Sequence, residues 1–240
     1  MTTTVRGRRR PVERRPPTRR RYLARRWVAL LVVLAVLGLG YVLMFTSVVG
    51  VREVAVFGTR DLSHDQVRET ASIELGAPMV RLDTEEIALR VAELPRVFEV
   101  RVSRSWPSTV EITVTERDPV AVRLAGDDVH LIDRTGLDYA TVEARPKELP
   151  VLRVENPSPD DAATRAAVTV LQDIPDQLRE RVVEVSAETA GSVRLTLAGK
   201  KIVNWGDAED NTRKAAVLAP LLTRPGKIYD VTTPDFPTVS

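Results

Sequence analysis

The sequence predicts an α+β protein: a single N-terminal transmembrane helix, then a β-α-α-β-β domain, then a mixed β-domain with a mainly antiparallel sheet and two helices. Three observations predict it. Residues 27–49, WVALLVVLAVLGLGYVLMFTSVV, carry no charged side chain. Beyond them, short runs such as Val110, Ile112 and Val114 alternating with Glu111, Thr113 and Thr115 have the two-residue period of half-buried strands. Between those runs lie stretches of helical period that open on capping residues and close at prolines.

Charge divides the chain at the apolar run. Residues 1–26 hold eleven arginines against one acid, Glu13, whereas the remainder holds 24 basic against 32 acidic residues. The net charge of +2 therefore averages a basic tail and an acidic body. With Pro11, Pro16 and Pro17 and almost nothing apolar, the tail (1–26) is expected to be disordered. Arginine clusters bind phosphate, but this one leads directly into the apolar run, so it is assigned to topology and the lipid surface, with no nucleic-acid partner. At about 1.5 Å per residue, the run 27–49 makes a helix of roughly 34 Å, enough to cross a hydrocarbon core of about 30 Å. Its fourteen Val, Leu and Phe residues favour insertion by about 4–8 kcal/mol. A secretory signal peptide has a shorter apolar region, about 7–15 residues, and Val48-Val49-Gly50 is a weak cleavage match, so an uncut anchor is expected. Arginine resists translocation, which places the tail in the cytoplasm and residues 50–240 outside, a single-pass arrangement. The sequence has no cysteine, hence no disulfide, thiolate metal ligand or cysteine nucleophile.

After the span, VREVAVFG reads as a strand closed by Gly58. Ser63 with Gln66 three residues later forms a capping box for a first helix, and Val67, Thr70 and Ala71 continue its face. A loop through Gly76 and Pro78 leads to Asp83 or Thr84, either of which can cap EEIALRVAEL, with Ile87, Val91 and Leu94 on one face and Pro95 as the stop. VFEVRVSRS and STVEITVTE then pair across a turn at Trp106-Pro107. Pro107 restricts the reversal and Trp106 can cover the hairpin end, while Glu116 and Arg117 close the second strand with a sheet-end salt bridge and Pro119 interrupts regular pairing at a hinge.

A membrane span followed by β-α-α-β-β, with Trp106-Pro107, the alternating Val110, Ile112 and Val114, and the terminal Glu116, Arg117 and Pro119, resembles the POTRA domain of the bacterial cell-division proteins called FtsQ or DivIB. Gly58 and Leu94-Pro95 fit the same pattern. Residues 50–118 are expected to be this domain.

Residues 119–233 read as a second, β-rich domain, and 234–240 as a C-terminal tail. PVAVRLAGDDVHLIDRTGLDYA suggests two short strands with turns at Gly126 to Asp128 and at Thr135-Gly136, and LPVLRV can add another. Pro159-Asp160-Asp161 starts a helix with Ala163, Ala167, Val170, Leu171 and Ile174 on one face, ending before Pro175. RVVEVSA, SVRLTLA and KIVNWG follow as strands, Asp207 caps a last helix with Leu218, Leu221 and Leu222 inward, and KIYDVTT (227–233) is the final strand. Asp133-Arg134-Thr135-Gly136, Leu149-Pro150, Gly206 before the helix with Lys214, and Tyr229-Asp230-Val231 resemble the FtsQ β-domain. The sequence stops seven residues after Thr233, so no long C-terminal extension is expected.

Catalytic patterns are missing. His64 and His130 have no second ligand at metal spacing, Ala190-Gly191-Ser192-Val193 lacks the second glycine of a nucleophile elbow, and Gly199-Lys200-Lys201 lacks the rest of a phosphate loop. Asp127-Asp128 and Asp160-Asp161 fall in turn and cap contexts. No enzyme activity, metal or cofactor is expected. What remains is binding. If 227–233 forms a sheet edge, its free N–H and C=O groups can accept a foreign strand, since Pro234 and Pro237 cannot donate to another; a strand already paired on both sides stays possible. The resemblance implies that this strand receives one from FtsB, which pairs with FtsL, through Tyr229, Val231 and Thr233 with Phe236 as an apolar anchor. It also implies that the POTRA domain and span engage other divisome proteins at the division septum, as a non-enzymatic scaffold regulating septal peptidoglycan synthesis. A membrane-anchored envelope hydrolase and a POTRA-type translocation chaperone are the alternatives.

Overall fold

The computed structural model describes residues 19–45 and 50–240, with side chains over 25–42 and 50–240. Helix α1 spans Arg19–Phe45. It starts eight residues before the apolar run, so 19–26 are helical rather than disordered: once a helix exists, each arginine adds a backbone bond at little entropic cost. Most of the expected tail, and residues 46–49 of the expected span, lie outside the described residues. The stretch Arg25–Val42 is long and apolar enough to cross a membrane, consistent with single-pass anchoring.

The next elements follow the order read from the sequence: β1 (Glu53–Phe57), α2 (His64–Ala71), a 3-10 turn (Met79–Arg81), α3 (Thr84–Ala92), β2 (Val97–Ser105) and β3 (Thr109–Glu116). The three strands form one sheet in the order β1-β3-β2, with β3 in the centre. Ser63 caps α2 as its spacing requires, its Oγ accepting from Gln66 N at 3.1 Å. Along β3, Val110, Ile112 and Val114 are buried while Thr113 and Thr115 are exposed, the alternation expected of a strand with one face on a core.

The second region forms a nine-stranded sheet: β4 (Pro119–Ala125), β5 (Asp128–Asp133), β6 (Asp138–Val142), β7 (Val151–Arg153), β8 (Val182–Ser186), β9 (Val193–Leu197), β10 (Lys201–Gly206), β11 (Ile228–Asp230) and β12 (Thr238–Val239), in the spatial order β12-β11-β10-β9-β8-β7-β4-β5-β6. Five neighbouring pairs are antiparallel; β4–β7, β7–β8 and β10–β11 are parallel. Parallel neighbours need a crossover, and α4 (Ala162–Asp173) supplies it between β7 and β8, as α6 (Asn211–Leu221) does between β10 and β11.

Several local expectations need correction. Residues 119–142 make three strands, not two, because Gly136 at φ +87° completes a tight turn and returns the following residues against β5 as β6. A third helix, the single turn α5 (Asp176–Arg179), follows Pro175. Asp161 caps α4, accepting from Thr164 N at 2.7 Å. Asp207, however, does not cap α6: Asp210 holds that position without a side-chain bond. The Asp207 carboxylate instead accepts from Lys214 Nζ at 2.6 Å and Glu209 N at 3.1 Å, because Lys214 is buried on α6 and requires a counter-charge.

One core cluster joins α4 and α6 to the sheet through Leu171, Leu218, Leu195, Leu197, Trp205 and Tyr229. A second gathers Val122, Val129, Leu131, Tyr139 and Val151. Consecutive Ala121 and Val122 enter different clusters, so β4 is covered on both faces. The Trp205 indole donates to Asn211 Oδ1 at 2.7 Å and Asn211 Nδ2 to Asp173 at 2.8 Å, satisfying the polar groups this packing removes from water.

Candidate functional site

The outer edge of the nine-stranded sheet is where a partner strand was expected, and the structure shifts it. Residues 228–230 are not an edge: β11 runs parallel to β10, pairing Tyr229 with Val203, and antiparallel to β12, pairing Tyr229 with Val239. The docking rail expected along 227–233 is therefore already occupied by this same chain. The strand is also shorter than expected. Asp230 accepts from Thr232 N at 3.1 Å and Thr232 Oγ1 at 2.7 Å, and this local turn lifts the chain out of the ladder just after Val231 N makes its bond to Asn204 O. Pro234 and Pro237 flank the return that brings β12 alongside, instead of ending all pairing.

Tyr229 and Val231 are both 0% exposed. They share a face, as the two-residue period requires, but that face packs into this chain's own core, so a charge at Tyr229 would enter the core. The Tyr229 hydroxyl donates to Arg224 O at 2.9 Å and Gly226 O at 3.0 Å, sealing the preceding turn. Thr233 is exposed, and Phe236 is 80% exposed two residues before β12. The outermost strand is thus β12. Ile228 and Ser240 exchange two backbone bonds, 2.9 and 3.0 Å; by the alternation of antiparallel ladders, the N–H and C=O of Val239 face away from β11.

Glu116 and Arg117, at the end of β3, lie at a joint between the two sheets. Glu116 and Arg117 form no salt bridge with each other, because each finds better partners. Glu116, 4% exposed, accepts from three successive backbone N–H groups, Arg60 at 2.6 Å, Asp61 at 3.1 Å and Leu62 at 3.0 Å. Burial disfavours its charge, but those backbone bonds outweigh it and hold the carboxyl below its ordinary value. Arg117 reaches Asp133 at 2.5 Å and Pro95 O at 3.0 Å. Asp133, 0% exposed, also accepts from Thr135 N at 2.8 Å, Thr135 Oγ1 at 2.6 Å and Leu137 N at 3.0 Å. Burial again opposes its charge, and the Thr135 hydroxyl and Arg117 lead the groups that lower its pKa regardless. The Arg134 guanidinium lies 3.9 Å from the Phe98 ring centroid, a second link across the same joint. Pro119 does not interrupt β4. It begins the strand opposite Asp133, just before a register shift, a position where no ladder donor is needed. The Trp106-Pro107 peptide is cis, and the Trp106 ring is exposed rather than covering the hairpin end.

The Arg117–Asp133 clasp is not legible in the sequence, although both residues fall in family-like motifs; their pairing depends on the register of β4 against β5, which no local pattern states. Arg117→Ala is expected to cost about 2 kcal/mol in denaturant unfolding, less than a fully buried broken pair because Asp133 keeps three donors. Arg117→Lys should recover only part of it, having lost the planar fork that serves Asp133 and Pro95 together.

Other polar groups read as structural. His130 Nδ1 lies 3.1 Å from Asp138 Oδ1 across the β5–β6 ladder. Among the described residues no three His, Asp or Glu side chains are grouped to hold a metal ion.

Residues 49–117 match the family model described as POTRA domain, FtsQ-type. Residues 121–232 match the model described as cell division protein FtsQ/DivIB, C-terminal. The chain is 43% identical over 213 residues to cell division protein FtsQ of Mycolicibacterium smegmatis, covering 89% of this chain and 63% of that protein. Against the Streptomyces coelicolor cell division protein FtsQ it is 33% identical over 258 residues, covering 100% of this chain and 98% of that one. The major extracytoplasmic domain of the cell division protein DivIB from Geobacillus stearothermophilus aligns with a TM-score of 0.34 at 18% identity, covering 46% of this chain and 98% of that domain.

Proposed function

The chain belongs to the FtsQ/DivIB family of bacterial cell-division proteins, and from that premise we propose that it is a bitopic, non-enzymatic scaffold of the divisome that captures FtsB, and with it FtsL, by strand addition at β12. Its arginine-rich N-terminus lies in the cytoplasm and its POTRA and β-domains outside, at the division septum. Holding FtsB and FtsL there, it helps regulate septal peptidoglycan synthesis, while the POTRA domain and the span meet other divisome proteins.

The observation that supports the docking position is the make-up of the sheet's outer strand. β12 is two residues long, has no outer neighbour among the described strands, and follows an aromatic side chain held in water at Phe236. An added strand gains main-chain bonds from Val239 N–H and C=O, and Phe236 supplies apolar area that pairs with a side chain of the incoming segment. Thr233, on the exposed loop before Phe236, lies within the same surface segment.

Phe236→Asp is expected to weaken capture of a reconstituted FtsB–FtsL pair by about thirtyfold, the roughly 2 kcal/mol typical of an aromatic anchor. Val239→Pro removes the outward N–H without touching the bonds to β11, and should weaken capture about tenfold. Capture unchanged in both variants, measured on the membrane-reconstituted chain, would reject docking at β12.

A further inference from the structure

Three large apolar side chains are exposed on two short segments, and nothing in the proposed strand-addition site uses them. Leu75 is 71% exposed and Val80 40%, both on the loop 73–83; Trp106 is 57% exposed at the tip of the β2–β3 hairpin. Both segments belong to the same compact unit as α1. Within that unit residues 50–52, the first described after α1, are tied to each of them. Gly50 bridges Pro78, Val51 N donates to Ala77 O at 2.9 Å and Gly76 N to Val51 O at 2.7 Å. Arg52 N donates to Ser108 O at 2.8 Å, beside the hairpin tip. Arg104 joins the two segments directly, its Nε donating to Met79 O at 2.9 Å and its guanidinium also to Leu82 O.

With α1 as a membrane span, these contacts limit the distance from the bilayer. The apolar residues 27–45 of α1 are nineteen, about 28 Å of helix, so Phe45 stands close to the boundary of a hydrocarbon core of about 30 Å. Gly50 follows five residues later, at most about 18 Å away by any path. The Met79–Arg81 turn lies within 8 Å of α1, Cα to Cα. With α1 as a span, Leu75, Val80 and Trp106 lie within reach of the lipid headgroups, the layer that tryptophan favours because its ring is apolar and its N–H can still meet water.

We propose that Trp106, Leu75 and Val80 insert into the headgroup layer of the membrane that α1 crosses, giving this end of the POTRA domain a second hold on the lipid surface. The proposal rests on α1 being a membrane span. Charges around the patch nearly balance, Arg52, Arg81 and Arg104 against Glu53, Glu74 and Asp83, so the attraction is apolar and aromatic and operates on neutral lipid.

The absence of cysteine makes every introduced cysteine a unique labelling site. The full chain, carrying a nitroxide at Leu75→Cys, Val80→Cys or Pro107→Cys, is reconstituted without any partner into phosphatidylcholine nanodiscs, and collisions with oxygen and with a water-soluble nickel chelate are compared. Labels at 75, 80 and 107 are expected to lose most of their nickel collisions and gain oxygen collisions; a label at Phe236→Cys keeps its nickel collisions, and anionic lipid changes little. The pair Leu75→Asp and Trp106→Asp should restore nickel access at 80. If the labels at 75 and 107 collide freely with nickel in these discs while a label at Leu34→Cys reads lipid, the proposal is overturned. That holds equally if they become shielded only after a protein partner is added, which would assign the patch to that protein. A Leu34→Cys label that reads water would instead overturn the span itself, and the proposal with it.

Discussion

Gly58→Ala should cost more than about 4 kcal/mol and abolish hydrogen-exchange protection across 53–116 in the membrane-reconstituted chain. Gly58 has φ +83°, and a Cβ built there falls 2.1 Å from the carbonyl oxygen of Val114. The left-handed conformation alone costs an alanine about 1–2 kcal/mol. The remainder arises because Val114 O is backbone of β3, the central strand of its sheet, and cannot withdraw without breaking pairing on one side or the other. Gly76 separates the two contributions. It has a similar φ, +89°, with nothing within 4 Å of the added Cβ, so Gly76→Ala should show only the conformational cost. Equal losses for the two variants would mean that the close approach at Gly58 has no energetic weight.

Glu116→Ala is the second large effect, expected at about 3–5 kcal/mol. It strips one acceptor from three backbone N–H groups, each costing about 1–3 kcal/mol when left unsatisfied, with water reaching some of them. Glu116→Gln keeps an oxygen where Oε1 accepts from Arg60, Asp61 and Leu62, and should cost only about 1–2 kcal/mol. The pH dependence is diagnostic. The Glu116 pKa is lowered in the folded chain from an ordinary value of 4.5. Its contribution is therefore complete above that value and disappears as pH falls through the lower folded pKa. Asp133, also lowered, acts in the same direction. Denaturant midpoints of the parent chain should fall on acidification below about pH 4.5, and the Glu116→Gln chain should show a shallower fall. Parallel curves would show that the charge of Glu116 is not coupled to folding.

The legible parts of this protein are those that depend on neighbours in sequence. A run of uncharged residues longer than a bilayer is thick predicts α1 without reference to anything else. The Ser63 and Asp161 caps were readable because a capping bond spans three residues, and β3 because burial of every second residue follows from the pleat. The side-chain partners that local pattern missed lie beyond the capping or alternation window. Asp207 looked like a helix cap until a buried Lys214 claimed it. Glu116 and Arg117 looked like a pair until the loop at 60–62 and the turn at 133–137 supplied stronger partners for each.

The C-terminal segment shows the division most clearly. Its alternation correctly groups Tyr229 with Val231 and Ile228 with Asp230, because side-chain direction is a property of the backbone. Which group faces the core was not written locally, since both faces carry an apolar residue; Tyr229 and Val231 enter the core cluster that also holds Leu218 of α6 and Val203 of β10. Nor could the sequence show that β12 would cover β11, for that requires the chain to reverse through 231–237 and find its own strand. Composition and periodicity by themselves determined an α+β chain with an apolar helix of membrane-spanning length, and local motifs carried its resemblance to FtsQ/DivIB; only the tertiary structure decided which strand is outermost, because an edge exists solely relative to the strands that have already paired.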